Sequence, residues 1–176
     1  YQNRLMGQFS MEVLTTSLKN LINVIKKIVG NIKKKKVLKE LNIFIPQSVD
    51  TRFNLVYFMM DSFASNYQTI KDHTRNNNID EVYSKLIGIN FNLLKKYVKM
   101  FSHFNDATLE SSSNSTPAIQ KVTPLRYFLE KECQAKIYDE DQIKSFKASL
   151  LKNLKSYMKI FEIHKISLLL DPTKRT

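Results

Sequence analysis

The chain has 176 residues, of which 43% are hydrophobic and 11% aromatic, and this composition excludes a disordered protein because it can form a buried core. Three glycines and four prolines are too few for the frequent turns of a sandwich or barrel, so an all-α fold is predicted. Lysine and arginine outnumber aspartate and glutamate by 28 to 16, and the formal charge of +12 favours a polyanionic partner such as nucleic acid or an anionic membrane surface.

A regular apolar stripe predicts the first helix. Its residues are separated by alternating steps of four and three: Leu14, Leu18, Leu21, Ile25, Ile28 and Ile32. Gly30 and Asn31 weaken this helix and permit a break before the lysine-rich "IKKKKVLKEL". The next stretch, "NIFIPQSVD", is predicted to be extended or a loop, because Pro46 disfavours helical geometry at Ile45.

A second long helix is predicted from about Arg52 to His73, with Asp50 or Thr51 as its cap. Its apolar face comprises Leu55, Met59, Phe63, Tyr67 and Ile70, widened by Phe58 and Met60. The polar "TRNNNID" ends it, and Asp80 is predicted to cap a further helix. The stripe of that helix is Ile87, Phe91, Leu94, Val98 and Phe101.

A polar segment, 106–116, is predicted to be a loop between the two helical halves of a single domain that covers 1–176. Pro117 and Pro124 predict the start of the next helix, because proline suits the first helical turn. The apolar side of this helix is Leu125, Phe128, Leu129 and Cys133.

The acidic run Asp139–Asp141 predicts the start of a long last helix, because carboxylates offset the positive end of the helix dipole. Its stripe is Ile143, Phe146, Leu150, Leu154, Tyr157 and Phe161. The apolar "HKISLLLDP" is interpreted as a strand or an inserted segment, and 164–176 as the edge of a neighbouring domain.

Motifs for catalysis and metal binding are missing from the sequence. His73, His103 and His164 are isolated, with no HExxH and no paired Cys-x-x-Cys, and no glycine-rich phosphate loop is present. The acidic run Asp139–Asp141 is interpreted as helix capping and solvation rather than a metal site. We therefore expect no cofactor, no metal and no enzymatic activity of the chain by itself.

The single cysteine, Cys133, excludes an internal disulfide framework and fits a reducing compartment. It is interpreted as a core residue. No apolar run approaches the length of a membrane span, so we expect no membrane partner.

Basic residues next to aromatic ones are the remaining candidates for function. Four consecutive lysines, Lys33, Lys34, Lys35 and Lys36, are candidate DNA-binding residues, although on one helix they spread around the cylinder and a solvated face is the alternative. Arg52 and Phe53 are more specific, because a guanidinium holds a phosphate bidentately and an exposed ring stacks on a base. The alternative for this pair is a core phenylalanine beside a surface arginine.

Three segments resemble landmarks of the hAT superfamily of DNA transposases, which includes hobo and Hermes. "VDTRFNLVYFMMDSF" resembles the family's "TRWNS" segment, and it follows a lysine-rich helix as it does in the family. "PAIQKVTPLRYFLEKECQ" resembles the family helix after its polar loop, and "FEIHKISLLLDPTKR" is similar to the "ATFLDPRFK" element. The chain departs from the pattern at Phe53, where the family has tryptophan, and at Leu55, where it has serine.

This resemblance implies a helical domain of about six to seven helices that is inserted into an RNase H-like catalytic core. The family tryptophan takes part in handling a flipped base, which implies a base-stacking role for Phe53 and a phosphate contact for Arg52. The catalytic acids of the family lie in the core that flanks the insertion, and none is assigned here. We therefore expect a nuclear, non-catalytic region that contributes to DNA binding or assembly.

The alternative interpretation is a domesticated protein-interaction or dimerisation module that no longer binds DNA. In that case the stripe Leu14–Ile32, or an exposed face of another helix, would dock a protein partner or a second copy of the chain.

Overall fold

The computed structural model describes residues 14–47, 53–112 and 118–170. Within these ranges the chain is all-α, as predicted, with nine helices and no strands. The helices are α1 (Thr16–Lys34), α2 (Val37–Glu40), α3 (Phe53–Ser65), α4 (Tyr67–Asn76), α5 (Asp80–Ile87), α6 (Phe91–Ser112), α7 (Ala118–Glu132), α8 (Asp141–Tyr157) and α9 (Glu162–Leu169). None of these helices combines the length and the apolar character that a bilayer crossing requires.

The chain divides into two compact units. The first is Leu14–Lys99, and the second covers 100–170 of the described residues, so that α6 contributes to both. The sequence predicted a loop at 106–116, whereas α6 continues to Ser112 and 113–117 lie outside the described residues. Within this polar end of α6 the hydroxyl of Thr108 donates to the carbonyl of Phe104 at 2.8 Å, so this polar group is satisfied inside the helix.

The core of the first unit is built on α1. The predicted stripe is buried at five of its six positions, Leu21 being half-buried, and Gly30 and Asn31 do not interrupt the helix. Contacts join α1 to α2, α3 and α5, which surround its apolar side. The other buried residues of this core include Val56, Met59, Met60, Phe63, Ile70, Val82, Leu86, Leu94 and Tyr97.

Tyr67 connects three helices of the first unit. Its hydroxyl donates a hydrogen bond to the carbonyl of Leu86 at 2.9 Å, and its ring stacks on Phe91 with centroids 4.4 Å apart. Burial, followed by the nearby Tyr83, raises the pKa of this phenol. The side chain therefore links α4 to both α5 and α6 with its polar atom satisfied.

Two helices predicted as continuous are each divided by an asparagine. Asn66 separates α3 from α4, and its side-chain amide donates to the carbonyl of Ser62 at 2.8 Å. Asn90 precedes α6, and its side-chain oxygen accepts from the backbone N–H of Leu93 at 3.0 Å. The Asn90 bond caps the start of α6. The Asn66 amide bond lies at the junction of α3 and α4, where the backbone N–H of Asn66 also donates to the carbonyl of Ser62 at 3.2 Å. Apolar periodicity continues across both breaks, which is why it did not reveal them.

Two predicted caps have different outcomes. Asp80 is the first residue of α5 rather than its cap, since Ile79 occupies the cap position and makes no side-chain capping bond. Asp80 and Glu81 lie in the first turn, where carboxylates offset the positive end of the helix dipole. Asp50 and Thr51 lie outside the described residues.

The core of the second unit lies between α6, α7 and α8. The rings of Phe101 and Phe146 meet edge to face with centroids 5.4 Å apart, and Cys133 is buried as predicted. Burial raises the pKa of the Cys133 thiol to about 12, against a lowering effect of Lys147. Pro124, predicted near a helix start, lies inside α7. The stripe of α8 is buried through Leu150 and Leu154, whereas Tyr157 and Phe161 are exposed.

The apolar carboxy-terminal run, predicted to be a strand or an inserted segment, is a helix and not a strand. The backbone N–H of Phe161 donates to Nδ1 of His164 at 2.9 Å, and this local bond forms the entry to α9. Contacts join α9 to α7. The predicted neighbouring domain at 164–176 stays a prediction, and 171–176 lie outside the described residues.

Asp139 and Lys147 form the most buried ion pair among the described residues, with side chains 9% and 5% exposed. Nζ of Lys147 lies 2.7 Å from Oδ2 of Asp139 and also donates to the carbonyl of Gln134 at 3.2 Å. The backbone N–H of Lys136 donates to the same carboxylate oxygen at 2.8 Å. Burial would raise the pKa of Asp139, but these hydrogen bonds and charges outweigh it and hold the pKa below its ordinary value of 3.8.

We expect Asp139→Asn to lower the free energy of unfolding at pH 7 by about 3 kcal/mol, because it leaves the buried ammonium of Lys147 without its counter-charge. The stabilisation from the lowered pKa is present above the unfolded-state pKa of Asp139 and is lost as the pH falls through the folded-state value. The difference between wild type and variant should therefore shrink below about pH 4. Urea unfolding across pH 2 to 7 measures both effects. Asp141→Asn is the control, since that carboxylate is 99% exposed; an equal loss from the control would contradict the role of the buried pair.

Candidate nucleic-acid interface

The four consecutive lysines do not lie on one helix. α1 ends at Lys34, and Lys36 has a φ of 59°, which lies in the left-handed region. The backbone N–H of Lys36 donates to the carbonyl of Lys33 at 3.0 Å and closes the turn. α2 begins at the next residue, Val37. The break predicted near Gly30 thus occurs five residues later, at a lysine.

This turn brings Lys33 and Lys36 to one pocket together with Lys39 of α2. We call it the basic pocket: it has a volume of about 520 Å³ and is lined by Lys33, Lys36, Leu38, Lys39, Asn42, Ile43, Phe44 and Ile45. All three lysines are exposed, and among the described residues none of them forms an ion pair. Three lysines among the lining residues give this surface a positive charge that suits an anion.

Lys34 and Lys35 are exposed but do not line the basic pocket. Lys35 lies near Glu81 of α5: the pKa of Glu81 is lowered by the hydrogen bond and charge of Lys85 and, to a smaller extent, by the charge of Lys35. Asn31 supports this arrangement, since its amide donates to Glu81 at 3.3 Å. The turn therefore places Lys33 and Lys36 at the basic pocket, whereas Lys34 and Lys35 lie outside it.

Phe44 lies at the pocket with its side chain 81% exposed, in the segment between α2 and α3. Its carbonyl accepts a hydrogen bond from the hydroxyl of Ser62 on α3 at 2.8 Å. The backbone N–H of Ile43 donates to the carbonyl of Leu38 at 2.8 Å, and Ile45 is buried. The backbone on both sides of the ring is thus fixed to the core.

Of the DNA contacts predicted from the sequence, the structure describes the four lysines but not the side chains of Arg52 and Phe53. Lys33 and Lys36 line the basic pocket, and Arg52 lies outside the described residues. Phe53 is the first residue of α3, and its side chain lies outside the described part of the structure.

Sequence reasoning missed Lys39, Asn42 and Phe44. The spacing of three residues from Lys33 to Lys36 and from Lys36 to Lys39 could have indicated that these lysines share one surface. That conclusion requires the position of the turn at Lys36, which the sequence did not reveal.

The histidines do not form a cluster. Nε2 of His73 lies 3.1 Å from Oε2 of Glu40, and Nε2 of His103 lies 3.6 Å from Oε2 of Glu132. Nδ1 of His164 accepts the helix-entry bond described above. Within the described ranges no three metal-ligating side chains come together, and Asp139 of the acidic run is occupied by Lys147.

Comparisons with known proteins give a limited similarity. No family model matches the chain. The chain is similar to zinc finger protein 618 of mouse and to zinc finger protein 618 of human, with 29% identity over 109 residues in each case. The aligned part covers 58% of this chain and 11% of each relative, so the chain spans about a tenth of the length of these proteins.

We expect Lys36→Gly to raise the free energy of unfolding by up to about 1 kcal/mol, because glycine adopts a positive φ without the steric cost of a Cβ atom. Lys34→Gly is the matched control: it removes the same charge from the end of α1 and is expected to cost up to about 1 kcal/mol. Thermal or urea unfolding of both variants measures the difference. Equal destabilisation by the two changes would show that the left-handed turn does not govern this position.

Proposed function

We propose that this chain is a non-catalytic helical region of an hAT-like transposase or a transposase-derived protein, and that it binds DNA through the basic pocket. The observation that carries the proposal is the convergence of Lys33, Lys36 and Lys39 on one hollow beside an exposed aromatic ring. Lysines that neutralise phosphates release condensed counterions, and this release supplies much of the affinity of proteins for DNA. The formal charge of +12 adds attraction at longer range.

The resemblance to hAT transposases supports the same assignment. It adds Arg52 as a phosphate contact and Phe53 as a base contact, just before and at the start of α3. α3 also carries Ser62, whose hydroxyl fixes the carbonyl of Phe44. A nuclear location, a DNA partner and a parent protein with an RNase H-like core belong to this proposal. The relatives' name, zinc finger protein 618, agrees with a DNA-associated parent protein, while the chain itself has no paired Cys-x-x-Cys.

The first test removes three pocket charges from the full chain, as Lys33→Ala, Lys36→Gly and Lys39→Ala together. Duplex DNA affinity is expected to fall, and the slope of log affinity against log salt to decrease by roughly 2 to 3 units, because each phosphate contact contributes about 0.9. Fluorescence anisotropy with labelled duplex DNA at several salt concentrations gives both quantities.

A control variant with the same net charge is available on the same surface helix and turn. Lys27→Ala, Lys34→Ala and Lys35→Ala remove three exposed lysines that do not line the pocket. The control should lose only the general attraction that follows from net charge. If both triple variants lose the same affinity and slope, the basic pocket is not the DNA site. Hairpin-tipped DNA and Arg52→Ala test the transposase-like part of the proposal in the same assay.

A second candidate function, protein interaction, is favoured by the outer face of α9. Ile163, Ile166, Leu169 and Leu170 are between 51% and 75% exposed, and they follow one another at helical spacing. The stripe Leu14–Ile32, considered as a docking surface from the sequence, cannot serve because it forms the core of the first unit. An exposed apolar helix face of this kind is a docking surface for an amphipathic partner helix.

The charged residues near this apolar face indicate which kind of partner fits it. Lys159 and Lys165 are exposed beside the apolar residues, and Lys165 is paired with Glu162 at 2.7 Å. A second copy of the chain would bring a further charge of +12, which opposes self-association. The fitting occupant is a partner helix with an apolar stripe and acidic flanks.

We expect Ile163→Ser with Ile166→Ser to abolish binding of a synthetic helix that carries a leucine stripe and glutamate flanks. The matched control is Leu109→Ser with Ile137→Ser, which changes two exposed apolar residues elsewhere in the second unit. Calorimetry against this helix and against its lysine-flanked counterpart measures the effect. Equal binding of the two synthetic helices, or an equal loss in the control, would remove α9 as the docking face.

A further inference from the structure

Phe44 differs from the scattered apolar residues that every protein surface carries. Its ring is 81% exposed, yet it lines the same pocket as three lysines. On either side of it Ile43 is half-buried and Ile45 is 1% exposed, so the chain turns the ring outward between two anchored neighbours.

The ring is also held in place through its backbone. Two hydrogen bonds of 2.8 Å, from Ser62 to the carbonyl of Phe44 and from Ile43 to the carbonyl of Leu38, fix the segment at both ends. Asn42, with a φ of 52°, supplies the left-handed residue that redirects the chain toward Phe44. Because the backbone is already ordered, only the side-chain torsions of the ring have to be fixed when a flat ligand covers it.

We propose that Phe44 is a stacking platform for an unpaired base, so that the basic pocket prefers single-stranded over duplex DNA. This inference rests on the proposed DNA-binding function and specifies its substrate. Proteins that bind single strands combine a positive groove along the backbone with aromatic rings on which bases stack. Lys33, Lys36 and Lys39 supply the first element and Phe44 the second. In a duplex the faces of the bases are covered by their stacked neighbours, so the ring of Phe44 has no free base face to stack on, while the phosphates stay accessible to the lysines.

A tryptophan substitution makes the stacking directly observable, because the chain contains no tryptophan. Phe44→Trp keeps an aromatic platform, and its fluorescence should be quenched when oligothymidine binds and remain nearly unchanged when duplex DNA binds. Tyr138→Trp is the control, since Tyr138 is exposed in the second unit, away from the pocket residues in the chain. Its fluorescence should respond to neither ligand.

Phe44→Leu provides the affinity measurement. It keeps an apolar side chain of similar bulk but removes the aromatic face, and the affinity for oligothymidine should fall roughly 5- to 100-fold, by a larger factor than the affinity for duplex DNA. Tyr138→Leu should change neither. Circular dichroism and thermal unfolding check that both variants remain folded.

The outcomes separate this inference from the proposed function. If the pocket triple variant loses DNA binding while Phe44→Leu binds oligothymidine as the wild type does, and Phe44→Trp is not quenched, the stacking platform is wrong and the DNA site stands. If the pocket triple variant and its charge-matched control behave alike, the proposed site itself is wrong. Quenching of Phe44→Trp by the single strand, with selective loss in Phe44→Leu, supports both.

Discussion

Burial of the apolar side of α1 determines the direction in which the lysine turn at the end of this helix faces. Leu18, Ile22, Ile25, Ile28 and Ile32 are almost completely buried, and each such side chain contributes about 1.5 to 3 kcal/mol when it leaves water. Rotating the helix by even one residue would expose several of them at once. The lysines between these residues must therefore point outward, and the end of α1 reaches the surface with Lys33 in a fixed direction. Val37, Leu38 and Ile45 continue the same core beyond the turn, so the basic pocket is bracketed by buried residues.

The basic pocket itself combines features that oppose folding. Three like charges converge, a lysine adopts a left-handed backbone conformation, and a large aromatic ring remains in water. Lys33 and Lys34 have one compensating effect, because cations in the last turn of a helix offset the negative end of its dipole. The burial of apolar side chains in the core of the first unit offsets the remaining unfavourable free energy of these features. Such local disagreement with the rules of folding is concentrated at functional sites, and it supports the assignment of this surface.

The parts of the fold that depend on side-chain periodicity could be predicted from the sequence. The stripe of α1 and most buried residues of α3, α4 and α8 follow from spacing alone, because a buried helix face repeats every three to four residues. The helix ends at Asn66 and Asn90 could not be predicted in this way, since the apolar spacing continues across both of them. The same limit applied to the site. Lys33 and Lys36 were recognised from charge. Lys39 and Phe44 reach the same pocket because the chain turns at Lys36 and Asn42, which have positive φ angles. Neither residue is a glycine, so the sequence contains no sign of these turns.

The buried thiol of Cys133 makes the chain a convenient framework for site-specific chemistry. It is the chain's one cysteine, and a thiol whose pKa is raised to about 12 remains protonated, and so unreactive toward maleimides and similar reagents, at neutral pH. A cysteine introduced on the surface, beside the basic pocket or on α9, can therefore carry a fluorophore or spin label without first replacing Cys133. The native core stays intact while a label on either unit reports on the binding of an added ligand.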